Sequence, residues 1–192
     1  MGLDTVELLM SFERYFSLEV PDATAETIYT VGDMATWLSQ QLGVAGLRQS
    51  AVRATVAGQM LRELPPSSTE ATPLRQLLPD AAALKTYRHT LREHAGLILP
   101  PLSPLRVEPV TPSLWERLTG QALPRTPHWY TRTLAELLDW VIAFNYDTLL
   151  VRPLASQYEV EQAVIGLTSD KSGVPVEEIR LQSSFTNDLG MD

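Results

Sequence analysis

Few side chains in this sequence could perform catalysis. The chain has three histidines and no cysteine, which excludes disulfides, thiol nucleophiles and cysteine metal sites. His89 and His94 are five residues apart and so do not share a helix face, while His128 lies in a proline-rich stretch. No Gly-x-Ser-x-Gly, glycine-rich phosphate loop or His-Glu-x-x-His motif occurs. The sequence therefore predicts a protein that is not an enzyme.

The remaining candidates for function are acidic residues near the two ends of the chain. Residues 1–44 carry a net charge of −6 and residues 155–192 one of −5, whereas residues 45–154 carry +3. Such surfaces repel nucleic acid and anionic membranes and attract basic proteins. We expect a partner protein with a basic patch to bind the following acids: Asp4, Glu7, Glu13, Asp188 and Asp192. The alternative is a solvated helix face, because acids are favoured near a helix N-terminus. Clustering alone, without a loop motif, does not predict a metal site.

Three helices are predicted to position these acids. Apolar residues at helical spacing predict a helix over residues 4–17, which ends before Pro21. Thr30 and Asp33 have the spacing of a capping box and predict the start of a second helix. A third helix covers residues 156–172 and stops before Gly173-Val174-Pro175. Four aromatic side chains are expected in the core: Trp37, Trp140, Phe144 and Tyr146.

Joined tail to head with Met1 omitted, the two ends form one continuous pattern. The last ten residues read S-S-F-T-N-D-L-G-M-D, and the chain from Gly2 to Leu9 reads G-L-D-T-V-E-L-L. This string resembles the centre of acyl carrier proteins, F-x-x-D-L-G-x-D-S-L-D-x-V-E-L, where a loop enters an acidic second helix. Thr-Val-Gly-Asp at Thr30–Asp33 is similar to the start of their fourth helix. The resemblance implies a carrier-like domain in circularly permuted order, made of residues 1–44 and 153–192.

The sequence differs from this family at the residue to which carriers attach their prosthetic group. Carriers attach phosphopantetheine through the Ser of Asp-Ser-Leu, and Gly2 stands at that place here. Thr5 is a poor substitute one turn further on, and Ser183 and Ser184 are expected to make loop or capping hydrogen bonds. The resemblance therefore predicts a carrier-like chain without the phosphopantetheine cofactor.

Residues 45–152 contain a fainter second copy of the same elements. It includes a proline-rich insertion, residues 101–132, in which Trp115 and Trp129 are expected to pack. Four sets of residues correspond: Phe12–Pro21 with Leu91–Pro100, Thr30–Trp37 with Thr133–Trp140, Phe185–Leu189 with Leu74–Leu78, and Val160, Val164 and Gly166 with Val52, Val56 and Gly58. At the position of the carrier Ser this copy has Pro79-Asp80-Ala81-Ala82. The alternative explanation is that amphipathic helices look alike.

These observations predict an all-α protein of two acyl-carrier-like four-helix bundles, the outer one circularly permuted or completed by domain swapping into a homo-oligomer. The apolar content is 44%, and no apolar run approaches the ~18 residues of a membrane span. With no cysteine and no signal segment, a cytoplasmic location is expected. The expected function is that of a non-catalytic carrier-like binding or interaction module. The alternatives are a working acyl carrier in lipid or polyketide-type biosynthesis and a helical protein whose proline-rich unit binds a small apolar ligand.

Overall fold

The computed structural model describes residues 3–102 and 127–191, and this part of the chain is helical throughout, with two isolated β-bridges and no strand. The all-α prediction is confirmed. The helices are α1 (Leu3–Phe16), α2 (Asp22–Ala25), α3 (Val31–Gln41), α4 (Ala51–Arg62), α5 (Leu74–Leu77), α6 (Ala81–Ala95), α7 (Leu134–Phe144), α8 (Tyr146–Leu149) and α9 (Gln157–Ser172), with a 3-10 turn at His128–Thr131. None of these helices is long and apolar enough to cross a membrane.

The chain divides into two compact units. The first unit comprises residues 1–56 and 138–192, and the second comprises residues 57–137. The division falls inside α4 and α7, whereas the sequence prediction separated the domains at positions 44/45 and 152/153.

The first unit is built around α9. Ser156 caps this helix by accepting a hydrogen bond from the Glu159 N–H, and Gly173 ends it in the left-handed conformation, as the sequence predicts. Val160, Ala163 and other apolar residues of α9 are buried, and the helix packs against α3 and α1 of the same chain. Each large apolar side chain removed from water in this way contributes about 1.5–3 kcal/mol. Residues from the two ends of the chain therefore share one core.

Buried polar residues on α9 are a feature that helical spacing did not reveal. Glu159, Glu161 and Gln162 are all buried. Glu161 forms an ion pair of 2.5 Å with Arg48, and Glu159 accepts a hydrogen bond of 2.7 Å from the Ser50 hydroxyl. A buried carboxylate needs such partners because it has lost its water. The segment before α4 therefore completes the core of the first unit.

The C-terminal segment joins the start of α3 through backbone hydrogen bonds. A β-bridge pairs Thr30 with Ser184. The bonds around it are Phe185 N–H to the Tyr29 carbonyl at 3.1 Å, Val31 N–H to the Ser183 carbonyl at 3.1 Å, and Gly32 N–H to the Leu181 carbonyl at 2.7 Å. The Ser183 and Ser184 hydroxyls accept local backbone N–H groups, as predicted.

The second unit has its own core and a bridge of the same kind. Its buried residues include Met60, Leu74, Leu78, Leu91, Trp129 and Leu137. A β-bridge pairs Pro73 with Thr133. The bonds around it are Leu74 N–H to the Arg132 carbonyl at 2.7 Å, Leu134 N–H to the Thr72 carbonyl at 3.0 Å, and Ala135 N–H to the Glu70 carbonyl at 2.8 Å. Trp129 packs as expected, while Trp115 and most of the proline-rich insertion lie outside the described residues.

The four aromatic residues predicted for the core are not fully buried. Phe144 is exposed, and Trp37, Trp140 and Tyr146 are half-buried. That prediction is wrong because helical spacing identifies a shared face but not the surface that the face meets. Tyr146 instead lines a surface cavity.

Candidate functional site

Helix α1 presents two different faces, and the candidate site lies on both. Leu8, Phe12 and Phe16 are spaced four residues apart and are buried, so they fix the helix on the core of the first unit. The helix ends at Ser17, whose φ of +54° is left-handed. The opposite face carries the predicted acids together with exposed apolar groups.

The exposed face of α1 combines charge with hydrophobic surface. Asp4 and Glu7 are exposed. Val6 is 41% exposed and Met10 52% exposed, although both are apolar. Apolar side chains one turn apart, flanked by carboxylates, have the composition of a docking surface. We call Asp4, Val6, Glu7 and Met10 the acidic face.

The remaining predicted acids take different positions. The Glu13 carboxylate accepts a hydrogen bond of 2.9 Å from the Val20 N–H, so it fastens the turn after α1. The Asp188 carboxylate accepts one of 2.8 Å from the Ser184 N–H, beside the β-bridge. Both carboxylates therefore stabilise the local backbone of this chain. Gly2 and Asp192 lie outside the described residues.

An apolar cavity of about 380 Å³ lies beneath the first half of α1. It is lined by Thr5, Leu8, Leu9, Phe12, Ala25, Glu26, Ile28, Tyr29, Met34, Phe185 and Thr186. These residues come from α1, from α2 and the loop after it, from α3 and from the C-terminal segment, so the cavity exists only when both chain ends are packed together. Its volume is within the range of small-molecule sites.

Sequence reasoning missed this cavity and, as an alternative, placed an apolar pocket in the inner proline-rich unit, residues 45–152, part of which lies outside the described residues. The available signal was the pair Ile28-Tyr29 in the loop before Thr30, where apolar residues serve no helical face. Tyr29 is 67% exposed at the cavity rim.

The histidines lie in the second unit, away from these features in sequence. His89 and His94 are exposed on α6, and the His94 ring nitrogen is 3.1 Å from a Glu63 carboxylate oxygen. Among residues 3–102 and 127–191, no three histidine or carboxylate side chains are grouped to hold a metal ion.

No protein-family model matches the chain. No solved structure matches it either.

Proposed function

We propose that this protein is a non-catalytic binding module made of two acyl-carrier-like helical units, and that its acidic face docks a partner protein. The carrier resemblance of the sequence is the starting point. The observation that carries the proposal is the hydrogen-bond pattern that the two units have in common.

The two units form the same backbone hydrogen bonds at residues that correspond in the sequence comparison. That comparison pairs Thr30 with Thr133, and Ser184 then corresponds to Pro73. The two β-bridges join these residues, Thr30 with Ser184 and Pro73 with Thr133. The three backbone bonds around each bridge also fall on corresponding residues. This matched pairing over long sequence separations supports a repeat over a chance likeness between amphipathic helices.

Two further local features also correspond between the two units. Thr30 forms a capping box with Asp33, and Thr133 exchanges the same two hydrogen bonds with Glu136. Ser17 and Gly96, which correspond in the comparison, are both left-handed, with φ of +54° and +67°.

The order of the helices supports permutation of the first unit. In the second copy, residues 45–152, the counterparts of the first, second and fourth helices of a carrier are α4, α6 and α7, and they follow in the order of a carrier. In the first unit the counterpart of α4 is α9, which follows α1 and α3 in the chain although it packs against them. We propose that the chain passes out of one carrier-like unit, through the other, and back. A swapped dimer would make the same α9 contacts between two chains, and a light-scattering mass equal to the 21.3 kDa of one chain would exclude it.

Gly2 offers no hydroxyl at the place where carriers attach phosphopantetheine, so we infer that the module carries none. Carriers are recognised through the acidic second helix, whose counterpart is α1. Asp4 and Glu7 keep the acidic surface by which carriers are recognised, although no attachment Ser stands beside them. These residues therefore support binding of a partner protein without covalent modification of the chain. A working acyl carrier, loaded by an unusual route, is the alternative.

Coexpression with a broad-specificity phosphopantetheinyl transferase tests the proposal. The wild-type protein is expected to keep its unmodified intact mass, whereas Gly2→Ser is expected to gain one phosphopantetheine, because the variant restores the carrier motif. Gly2→Ala is the matched control and is expected to stay unmodified. A mass increase of the wild-type chain would favour the working carrier, and an unmodified Gly2→Ser variant would count against carrier-like recognition.

The docking role of the acidic face is measured in the same system. In the Gly2→Ser background, Asp4→Asn with Glu7→Gln is expected to slow modification by about tenfold at low salt, because electrostatic attraction mainly raises association rates. Glu19→Gln with Asp22→Asn removes the same charge from exposed positions outside the acidic face. Equal slowing by both pairs would assign the effect to net charge and not to this surface.

A second candidate function is binding of a small apolar ligand, which the cavity beneath α1 favours. Decanol is a suitable neutral probe because Glu26 on the cavity wall would repel a carboxylate. We expect decanol to raise the unfolding temperature of the wild-type protein. Ala25→Phe, which fills the cavity from its wall, is expected to abolish the shift, and Ala51→Phe on exposed helix surface is the control. A shift retained in Ala25→Phe would place the ligand elsewhere.

A further inference from the structure

The first unit is strongly acidic, yet three of its cations meet in one cavity. The unit has sixteen acidic and six basic residues. Three of those six, Arg14, Arg152 and Lys171, line a cavity of about 460 Å³. Arg14 lies in the last turn of α1, Lys171 in the last turn of α9, and Arg152 in the loop after α8. Residues far apart in the chain therefore converge here.

The three cations lack carboxylate partners. Within the part of the chain that the structure describes, none of the three is within ion-pair distance of an acid. By contrast, Arg48 pairs with Glu161, and Arg53 lies 3.5 Å from Asp139. In a unit with an excess of acids, cations held together without a counterion form a local site for an anion.

Arg152 is held in place while most of its donors stay available. One guanidinium N–H donates to the Tyr15 carbonyl at 2.6 Å, and the group lies 5.2 Å from the centre of the Tyr15 ring. A guanidinium has five N–H donors, so the others can bind oxygen atoms in the cavity. A preorganised guanidinium is well matched to a phosphate group.

The polar groups on the cavity wall do not cancel the positive charge. Asp170 is the single carboxylate among the lining residues, and it accepts a hydrogen bond of 2.9 Å from the Tyr146 hydroxyl. Burial raises the pKa of Tyr15 and of Tyr146, and the charge of Asp147, which does not line the cavity, raises both pKa values further, so both phenols stay neutral at physiological pH. The Ser11 hydroxyl donates to the Glu7 carbonyl and leaves only acceptor capacity.

Helix stability alone does not explain the cluster. Arg14 and Lys171 each favour the negative end of their own helix. That effect does not account for Arg152, which belongs to a loop and lines the same cavity.

We propose that this cavity binds the phosphate group of a small organic phosphate ester, with Arg14, Arg152 and Lys171 as its cationic contacts. Three cations and one carboxylate leave a net charge that suits a phosphate dianion. The volume exceeds what a bare phosphate fills, and the rings of Tyr15 and Tyr146, 5.4 Å apart, supply a wall for the organic part. The site is on the opposite end of α1 from the acidic face and does not depend on the carrier-like function.

Calorimetric titration of the full chain with ribose 5-phosphate, at constant ionic strength, tests the site. Ribose 5-phosphate is expected to bind, inorganic phosphate to bind more weakly, and ribose not to bind. Arg14→Gln and Lys171→Gln change exposed side chains and are each expected to weaken binding by about tenfold, the loss of one charge-assisted hydrogen bond. Arg88→Gln, an exposed position on α6, is expected to bind like the wild type.

Three results would overturn the proposal. The first is no binding of ribose 5-phosphate at constant ionic strength. The second is equal weakening by Arg88→Gln, which would indicate attraction to net charge alone. The third is malonate binding as tightly as ribose 5-phosphate, which would indicate a site for any dianion.

Discussion

Phe12→Ala is expected to destabilise the first unit by about 3–5 kcal/mol, the cost of removing a large aromatic side chain from a packed core. Phe12 is 1% exposed, and its ring centre is 6.4 Å from that of Phe185. It therefore joins α1 to the C-terminal segment at the wall of the apolar cavity. Since whole domains are stable by only about 5–15 kcal/mol, the loss is a large fraction of the total. Chemical unfolding followed by far-ultraviolet circular dichroism measures it.

Phe144→Ala is the matched control. Phe144 is 37% exposed in the same unit, so the same substitution is expected to cost less than about 1 kcal/mol. A double-mutant cycle between Phe12→Ala and Phe185→Ala is expected to give a coupling of about 0.5–1.5 kcal/mol, as for other aromatic pairs. Zero coupling, or a Phe12→Ala cost no larger than that of Phe144→Ala, would contradict the packing of the two chain ends against each other.

Gly166→Ala is expected to destabilise the protein by about 3 kcal/mol. A β-carbon at Gly166 would overlap the Ala143 carbonyl oxygen and the Tyr146 ring. The carbonyl belongs to the backbone of α7 and cannot rotate away, so α9 would have to move in a well-packed core. This cost exceeds the ~0.5–1 kcal/mol that replacing a glycine by alanine contributes within a helix.

Gly58 is the residue that the sequence comparison pairs with Gly166, and Gly58→Ala is expected to have the opposite effect on stability. A β-carbon there meets no atom within 4 Å, and Gly58 is exposed inside α4. The variant is therefore expected to gain roughly 0.5–1 kcal/mol. Thermal unfolding of the two variants beside the wild type measures both effects. An unfolding temperature of Gly166→Ala at or above that of the wild type would show that α9 does not approach α7 as closely as in the structure.

The local hydrogen-bonding features were predictable because their donors and acceptors are neighbours in sequence. The Thr30–Asp33 capping box requires only a spacing of three residues, and the end of α9 requires only a glycine after the last turn. The proposed correspondence between the two units rests on the same kind of signal, since each matched segment is short and local. The acyl-carrier relationship built on these segments stays a prediction that the transferase experiment tests.

Burial, cavities and charge clusters were decided by tertiary structure alone. The sequence predicted a helix over residues 156–172, but it could not show that Glu159 and Glu161 are buried, because their partners come from residues 48–50. The convergence of Arg14, Arg152 and Lys171 was hidden for the same reason. The sequence determines which residues lie on each face of a helix. The segments that pack against those faces determine which groups are buried and which remain exposed to bind a ligand.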